Sequence, residues 1–236
     1  MSLPVTEETS QSLQSRAFLE SEGDRWFERN RSALAEKPVF FDTEMIKRVL
    51  APFQNDINTV LEIGCGGGAK LNELCQFFKA SGFGVDPSAS AVAHGNATYS
   101  SCQLSVATAS KLPYEDDQFD LVVFGFCLCM IDRRDILKAV AEADRVLKQG
   151  GFLAILDFDP AFRHKRPYHH LPGLFCYKGP YPDLFTASGH YHPVCKESFS
   201  HTAPQFDKDS NERLSLSILY KEPDAYPTQE LTAPAP

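Results

Sequence analysis

No apolar run in this 236-residue chain approaches the ~20 residues that a membrane-crossing helix needs, so membrane insertion is not expected. The opening Met1-Ser2-Leu3-Pro4, followed by Glu7 and Glu8, has neither the basic nor the apolar stretch of a secretory leader. Excess positive charge is also missing. Lys and Arg number 23 against 31 Asp and Glu, a formal net charge of −8, which disfavours a general binder of nucleic acid or anionic membrane. The seven cysteines are odd in number and several fall inside apolar strand or helix patterns. They read as buried free thiols of a reducing, cytoplasmic compartment. Cys127-x-Cys129 would face opposite sides of a strand, and no pair has zinc-ligand spacing with a second to match, so no metal site is expected. Internal repeats are absent. What remains is an apolar content of 43%, enough for the core of one large α/β domain with appendages.

The most informative residues are Val60-Leu61-Glu62-Ile63-Gly64-Cys65-Gly66-Gly67-Gly68. An apolar, β-favouring run ends in glycines at alternate positions, as a buried strand does when it enters a tight turn against which a ligand can lie. A second run, Gly82-Phe83-Gly84-Val85, ends in Asp86, an acid able to accept both hydroxyls of a ribose. Gly64-x-Gly66-x-x-Ala69 also satisfies the loose dinucleotide fingerprint. A dinucleotide turn, however, presents a helix N-terminus to a pyrophosphate, which the carboxylate of Glu62 would oppose. S-adenosylmethionine (SAM) has no phosphate, and its ammonium and sulfonium favour a nearby acid.

The acid-x-Gly-x-Gly-x-Gly pattern of Glu62, Gly64, Gly66 and Gly68 resembles the first motif of the class I SAM-dependent methyltransferases. Lys111-Leu112-Pro113-Tyr114-Glu115-Asp116-Asp117-Gln118-Phe119-Asp120 is similar to a further segment of their ubiquinone and small-molecule branch. Leu147-Lys148-Gln149-Gly150-Gly151 resembles the turn before their fifth strand. The resemblance covers about residues 40–222 and implies SAM as cofactor. It places Glu62, Gly64, Cys65 and Gly66 at the methionine end, with Gly68 allowing close helix packing. Asp86 would take the ribose and Pro87 one adenine face. Many relatives carry an acid after strand three. Here Thr108, Ala109 and Ser110 stand there instead, and a hydroxyl and backbone amides would have to replace it. Phe126, at the end of strand four, completes the expected cofactor contacts.

Along the chain, strands are expected over 58–63, 82–86, 102–107, 119–126 and 152–158, alternating with helices over 68–80, 88–95 and 133–148. That alternation implies a Rossmann-like, doubly wound, mostly parallel α/β sheet. Two more strands, 194–202 and 213–221, form a C-terminal antiparallel β-hairpin. Residues 1–40 read as an N-terminal extension and helical lid, with helix from Ala17 to Leu34 anchored by Trp26 and Phe27. Arg25 or Arg29 would then reach the methionine carboxylate. Asp42 is an expected N-cap of a helix over 42–50. The domain proper spans 41–222, and 223–236, with four prolines, reads as a disordered tail.

The methyl acceptor is expected over the carboxyl ends of strands four and five. No histidine stands near Cys129 or Met130 and no Asn-Pro-Pro-Tyr type of motif is present, so an apolar wall is the default there. Residues 159–197 read as an irregular acceptor-binding segment, since Pro167, Pro172, Pro180 and Pro182 exclude a long helix. Six of the seven histidines lie between 164 and 201. His169 and His170 are the candidate general bases. Arg163, Lys165, Arg166 and Tyr168 are the candidate clamp for an anionic or polar acceptor. The function expected is methyl transfer to O or N of a small polar acceptor, a saccharide or nucleotide-linked metabolite. A non-catalytic SAM-fold partner or sensor, and a tRNA or protein methyltransferase, are the alternatives.

Overall fold

A computed structural model describes residues 11–35 and 40–228. Five parallel strands, β1 (Thr59–Ile63), β2 (Ser81–Asp86), β3 (Cys102–Val106), β4 (Phe119–Gly125) and β5 (Leu147–Phe158), are succeeded by a small hairpin of β6 (His164–Pro167) and β7 (Phe175–Lys178). Then come β8 (Tyr191–Ser200) and β9 (Arg213–Lys221). The main sheet has the order β3-β2-β1-β4-β5-β9-β8, with β9 antiparallel to both β5 and β8. Strand order reverses between β1 and β4, which opens a crevice at their carboxyl ends. The expected doubly wound sheet and C-terminal hairpin are both present.

Period-two alternation divides the strands between two cores. Val60, Leu121, Val123, Phe152 and Ala154 pack with α3 (Phe41–Leu50) and α4 (Ala69–Phe78) on one face. Leu61, Ile63, Val122, Phe124, Leu153 and Ile155 meet α6 (Ile136–Val146) on the other. Glu62 shares the face of Val60, so the motif acid enters the core beneath α4.

Several boundaries and anchors differ from those read in the sequence. The N-terminal helix starts at Leu13, capped by the Ser12 hydroxyl accepting the Ser15 N–H. It runs as α1 (Leu13–Ala17) through a π turn, Phe18–Glu22, into α2 (Gly23–Ala35). The π turn inserts a residue and rotates α2 relative to α1. Phe27 is therefore the anchor at 4% exposure, whereas Trp26 is 38% exposed. Asp42 is not a cap. The cap position is Phe40, and the Asp42 carboxylate faces Lys70 on α4 instead. Asp132 accepts the Arg134 N–H, a local turn that delays α6 to Ile136. The segment 159–197 is not wholly irregular. Its prolines leave only a short helix, Asp183–Thr186 after Pro182, and tolerate the extended β6–β7 pair, where Pro167 sits at a strand end. Of the expected disordered tail, 223–228 is held by Tyr226, whose hydroxyl donates to the Ser188 carbonyl. Residues 1–10 and 229–236 lie outside the described residues. No helix among the described residues is long and apolar enough to cross a membrane.

Candidate functional site

The turn after β1 is held from below by β2: the N–H groups of Gly64 and Cys65 both donate to the Val85 carbonyl, at 2.8 and 3.1 Å. The Gly66 N–H donates to Asp86 Oδ2 at 2.9 Å, and Asp86 Oδ1 accepts the Ser88 N–H at 2.9 Å. Each carboxylate oxygen has two lone-pair directions, so Asp86 retains acceptor capacity for hydroxyls. Burial raises its pKa, and the two backbone N–H groups pull it partly back. At Gly66, with φ of +51°, a Cβ would meet no protein atom within 4 Å, so this edge of the turn borders open space. At Gly64 it would strike the Cys127 Cβ at 2.6 Å. Gly68 precedes α4 against Leu104, and Cys65 is buried with its thiol pKa pushed well up by burial. Pro87 is half-buried beside Asp86. Ala107 N–H donates to the Asp86 carbonyl, which sets Thr108, buried Ala109 and Ser110 alongside, the two hydroxyls 3.2 Å apart.

Beneath the turn lies a chain of charges. Lys70 Nζ is 3.0 Å from Asp42 Oδ2 and 3.6 Å from Glu62 Oε1, the latter too long for a hydrogen bond. Both Glu62 oxygens are buried and without a hydrogen-bond partner. Burial drives the Glu62 pKa up to about 7, although Lys70 pulls it down. The two carboxylates outweigh burial at Lys70 and hold its pKa above the ordinary range. With all three ionised the group carries one net negative charge under the glycine turn.

The N-terminal helix closes over this turn. Asp24 Oδ1 accepts from the Ser88 hydroxyl at 2.7 Å and from the Ser90 N–H at 2.9 Å, docking α2 on the start of α5 (Ala89–Thr98). The Phe27 ring stands 3.4 Å from where a Gly67 Cβ would be and packs on His94 at 5.7 Å. Arg29 is engaged by Glu22 and by the Tyr168 hydroxyl at 3.1 Å, not by the turn. Tyr168 in turn donates to Glu22 Oε1 at 2.9 Å and packs on Phe18. Tyr168 thus joins the β6–β7 hairpin to the N-terminal helix rather than to the basic run before it.

Beyond β4, Phe126 has φ of +67°, a strained conformation for an aromatic residue. Its ring packs on Phe158 (5.0 Å), at the end of β5, and on His201 (5.6 Å), just after β8. Sequence reading did not single out Phe158, His201 or Lys178, whose Nζ lies 3.5 Å over the Phe158 ring. Only the abrupt polar change after Phe158 hinted at them. Asp157 is buried, and burial lifts its pKa to about 7. Its oxygens accept the Cys129 and Phe158 N–H groups, so it fastens the turn after β4. His169 and His170 are exposed in the loop between β6 and β7, with His170 against Tyr168. Arg163 and Lys165 border a cavity, whereas Arg166 turns to Glu212 at 3.9 Å.

The comparisons with known proteins agree with this geometry. Residues 61–155 match the family described as "Methyltransferase domain". A 2-phytyl-1,4-naphtoquinone methyltransferase of Nostoc punctiforme is 30% identical over 159 residues, covering 64% of this chain and 65% of that protein. A ubiquinone/menaquinone biosynthesis C-methyltransferase of Vibrio vulnificus is 44% identical over 57 residues, 24% of this chain and 21% of that protein. The chain spans less than two thirds of the length of these curated relatives. Among solved structures, a Burkholderia thailandensis 1,6-didemethyltoxoflavin-N1-methyltransferase with bound 1,6-didemethyltoxoflavin and S-adenosylhomocysteine superposes with a TM-score of 0.68. At 14% identity over 94% of this chain and 93% of that one, this is a likeness of fold.

Proposed function

We propose that this chain, whose residues 61–155 match the family described as "Methyltransferase domain", is a class I SAM-dependent methyltransferase whose glycine-turn crevice binds SAM and which methylates a small polar acceptor. The observation that carries the reading is the open edge at Gly66 between Asp86, with spare acceptor capacity, and Glu62, with two unpartnered oxygens. A neutral, hydroxylated ribose suits the first acid, and a cationic methionine end suits the net negative charge beneath the turn. The Thr108 to Ser110 segment, with Pro87, borders the place for the adenine. Phe27 and α2 cover the turn and exclude water, which strengthens the attraction between buried charges.

When bound, SAM would supply a sulfonium-activated methyl group open to in-line attack by an acceptor lone pair, with S-adenosylhomocysteine as the leaving group. The chain's own part is alignment. Phe126 and Phe158 form an apolar floor at the ends of β4 and β5. The hairpin carrying Arg163, Lys165, Arg166 and Tyr168 supplies polar and cationic contacts for an O or N acceptor, with a saccharide or nucleotide-linked metabolite the class that suits them. Where the acceptor must lose a proton, His169 or His170 at the lid-side tip of the hairpin takes it. The substitution of each by Gln then lowers the rate at saturation about 10²–10⁴-fold. Full turnover by both variants on an identified acceptor removes that role.

Calorimetry tests the cofactor half. S-adenosylhomocysteine is expected to bind saturably and NADH to give no comparable heat. The reverse order of affinities would restore the dinucleotide reading.

Glu62 imposes a pH dependence with opposite signs on stability and on binding. In the free protein its carboxyl holds a proton more tightly than when unfolded, because its pKa is raised to about 7. Stability from this group is therefore full at low pH and declines as pH rises from ~4.5 to about 7. SAM affinity runs the other way, since the cation favours the ionised acid. Between pH 8 and pH 6 it is expected to fall about tenfold. Asp157 titrates in the same range, so the control is Glu62→Gln, which should flatten the SAM profile. An unchanged slope in that variant would place the cation elsewhere.

A further inference from the structure

A cavity of about 290 Å³ opens beside the acceptor floor, lined by Arg133, Arg163, His164, Lys165 and Lys178 with Tyr177 among its walls. Its lining contains four cationic side chains and no acid, in a chain whose formal charge is −8. We propose that this cavity is a binding site for a phosphoryl group.

Three of these cations are exposed and Lys178 is buried, and no carboxylate lines the cavity beside them. Arg133 lies 4.4 Å over the Tyr177 ring and donates to the Leu128 and Ile131 carbonyls. Lys178 is only 5% exposed, and its Nζ donates to the Asn211 carbonyl at 2.6 Å. Among the described residues, neither Arg133, Lys165 nor Lys178 forms an ion pair with a carboxylate, and Arg163 reaches only the exposed Asp183 at 3.7 Å. Lys178 is the buried member, and Glu212 acts on it only from beyond ion-pair distance, so an anion entering the cavity offsets part of the cost of its burial. Burial, and after it the nearby Arg166, lowers the Lys178 pKa, as this environment requires. His164 Nε2 is also buried without a hydrogen-bond partner, while Nδ1 lies 3.0 Å from the Phe162 carbonyl. Two planar guanidiniums, two ammonium groups and an imidazole present more donors than one carboxylate can use, but match the oxygens of a phosphate or diphosphate.

Size narrows the ligand further. Complete small-molecule sites commonly occupy ~300–1,000 Å³, so this cavity takes a head group and not a whole nucleotide. Lys178 joins it to the acceptor floor, because the same Nζ lies over the Phe158 ring. A phosphorylated acceptor anchored here would extend toward the strand ends. That step rests on the proposed transfer function, whereas anion binding itself does not.

The probe is inorganic pyrophosphate, titrated calorimetrically at low ionic strength into the full chain with and without S-adenosylhomocysteine. One saturable site is expected. Arg133→Gln and Lys165→Met should each weaken it by about tenfold or more, while Arg48→Gln, at a surface pair with Glu197, leaves it unchanged. Lys165 is exposed, so its variant remains informative if loss of Arg133 disturbs the turn after β4. No saturable binding, or equal binding by both cavity variants, overturns the proposal. So does equal weakening by Arg48→Gln. Failure of S-adenosylhomocysteine to bind while pyrophosphate does would sink the transfer reading alone. The source of the group is read from labelled methyl transfer into metabolite fractions. Competitive inhibition by pyrophosphate marks a phosphoryl group carried by the acceptor, and unchanged or raised transfer marks a free anion; both keep the site.

Discussion

Gly66→Val is expected to lower S-adenosylhomocysteine affinity by at least about 100-fold while leaving the protein folded. A Cβ at this position meets no protein atom within 4 Å, so the new side chain fills the space meant for ligand without striking the core. The backbone there has φ of +51°, and a side chain in that left-handed region costs ~1–2 kcal/mol. That cost lowers the melting temperature by a few degrees in a domain of this size. The loss of binding should far exceed it. Gly64→Val would not be informative, because its side chain would collide with Cys127 and disturb the fold itself. Binding within a few-fold of the parent, in a folded Gly66→Val protein, would move the cofactor away from the turn.

Asp86→Ala is the second large effect. It removes a carboxylate that could accept both ribose hydroxyls, and charge-assisted hydrogen bonds of this kind contribute about 2–3 kcal/mol, roughly 30–150-fold in affinity. The structure adds a second consequence. Both oxygens already accept backbone N–H groups, from Gly66 and Ser88, so the turn itself loosens. Asp86→Asn keeps the shape, but its amide nitrogen must face one of those N–H groups. It should therefore lose stability as well as part of the affinity. Calorimetry and thermal melting on the same samples separate the two, and a less than twofold loss of affinity in both variants would contradict the ribose role.

How much of this was legible in the sequence depends on how local the cause is. The strand, the alternating glycines and Asp86 lie within 27 residues and their chemistry is written in their spacing, so the turn and the sheet around it could be read directly. The antiparallel ending was legible too, from the alternation of Leu214, Leu216 and Ile218. The lid was harder. A π turn before Gly23 rotates the helix, so Phe27 and not Trp26 points inward, and no apolar pattern announces such a turn. Arg29 looked free to reach a carboxylate, but Glu22, seven residues earlier, and Tyr168 from the hairpin engage it. Asp42 matched a cap by position, yet α3 packs beside α4 and brings it to Lys70 across 28 residues. The basic run after β5 was visible as composition only. Strand pairing in β6–β7 decides that Lys165 lies beside Tyr177 and Arg166 beside Cys176. It also recruits Lys178, while the turn after β4 contributes Arg133. Neither pairing is a local property of the chain.

The measurement that tests the central claim most directly is single-turnover incubation of the protein with methyl-labelled SAM and fractionated small-molecule extracts. Label is expected to pass into a small molecule in step with formation of S-adenosylhomocysteine, and Gly66→Val to abolish both. A protein that binds S-adenosylhomocysteine at the glycine turn, yet transfers no label to any fraction above the Gly66→Val background, would be a binder of the cofactor and not an enzyme.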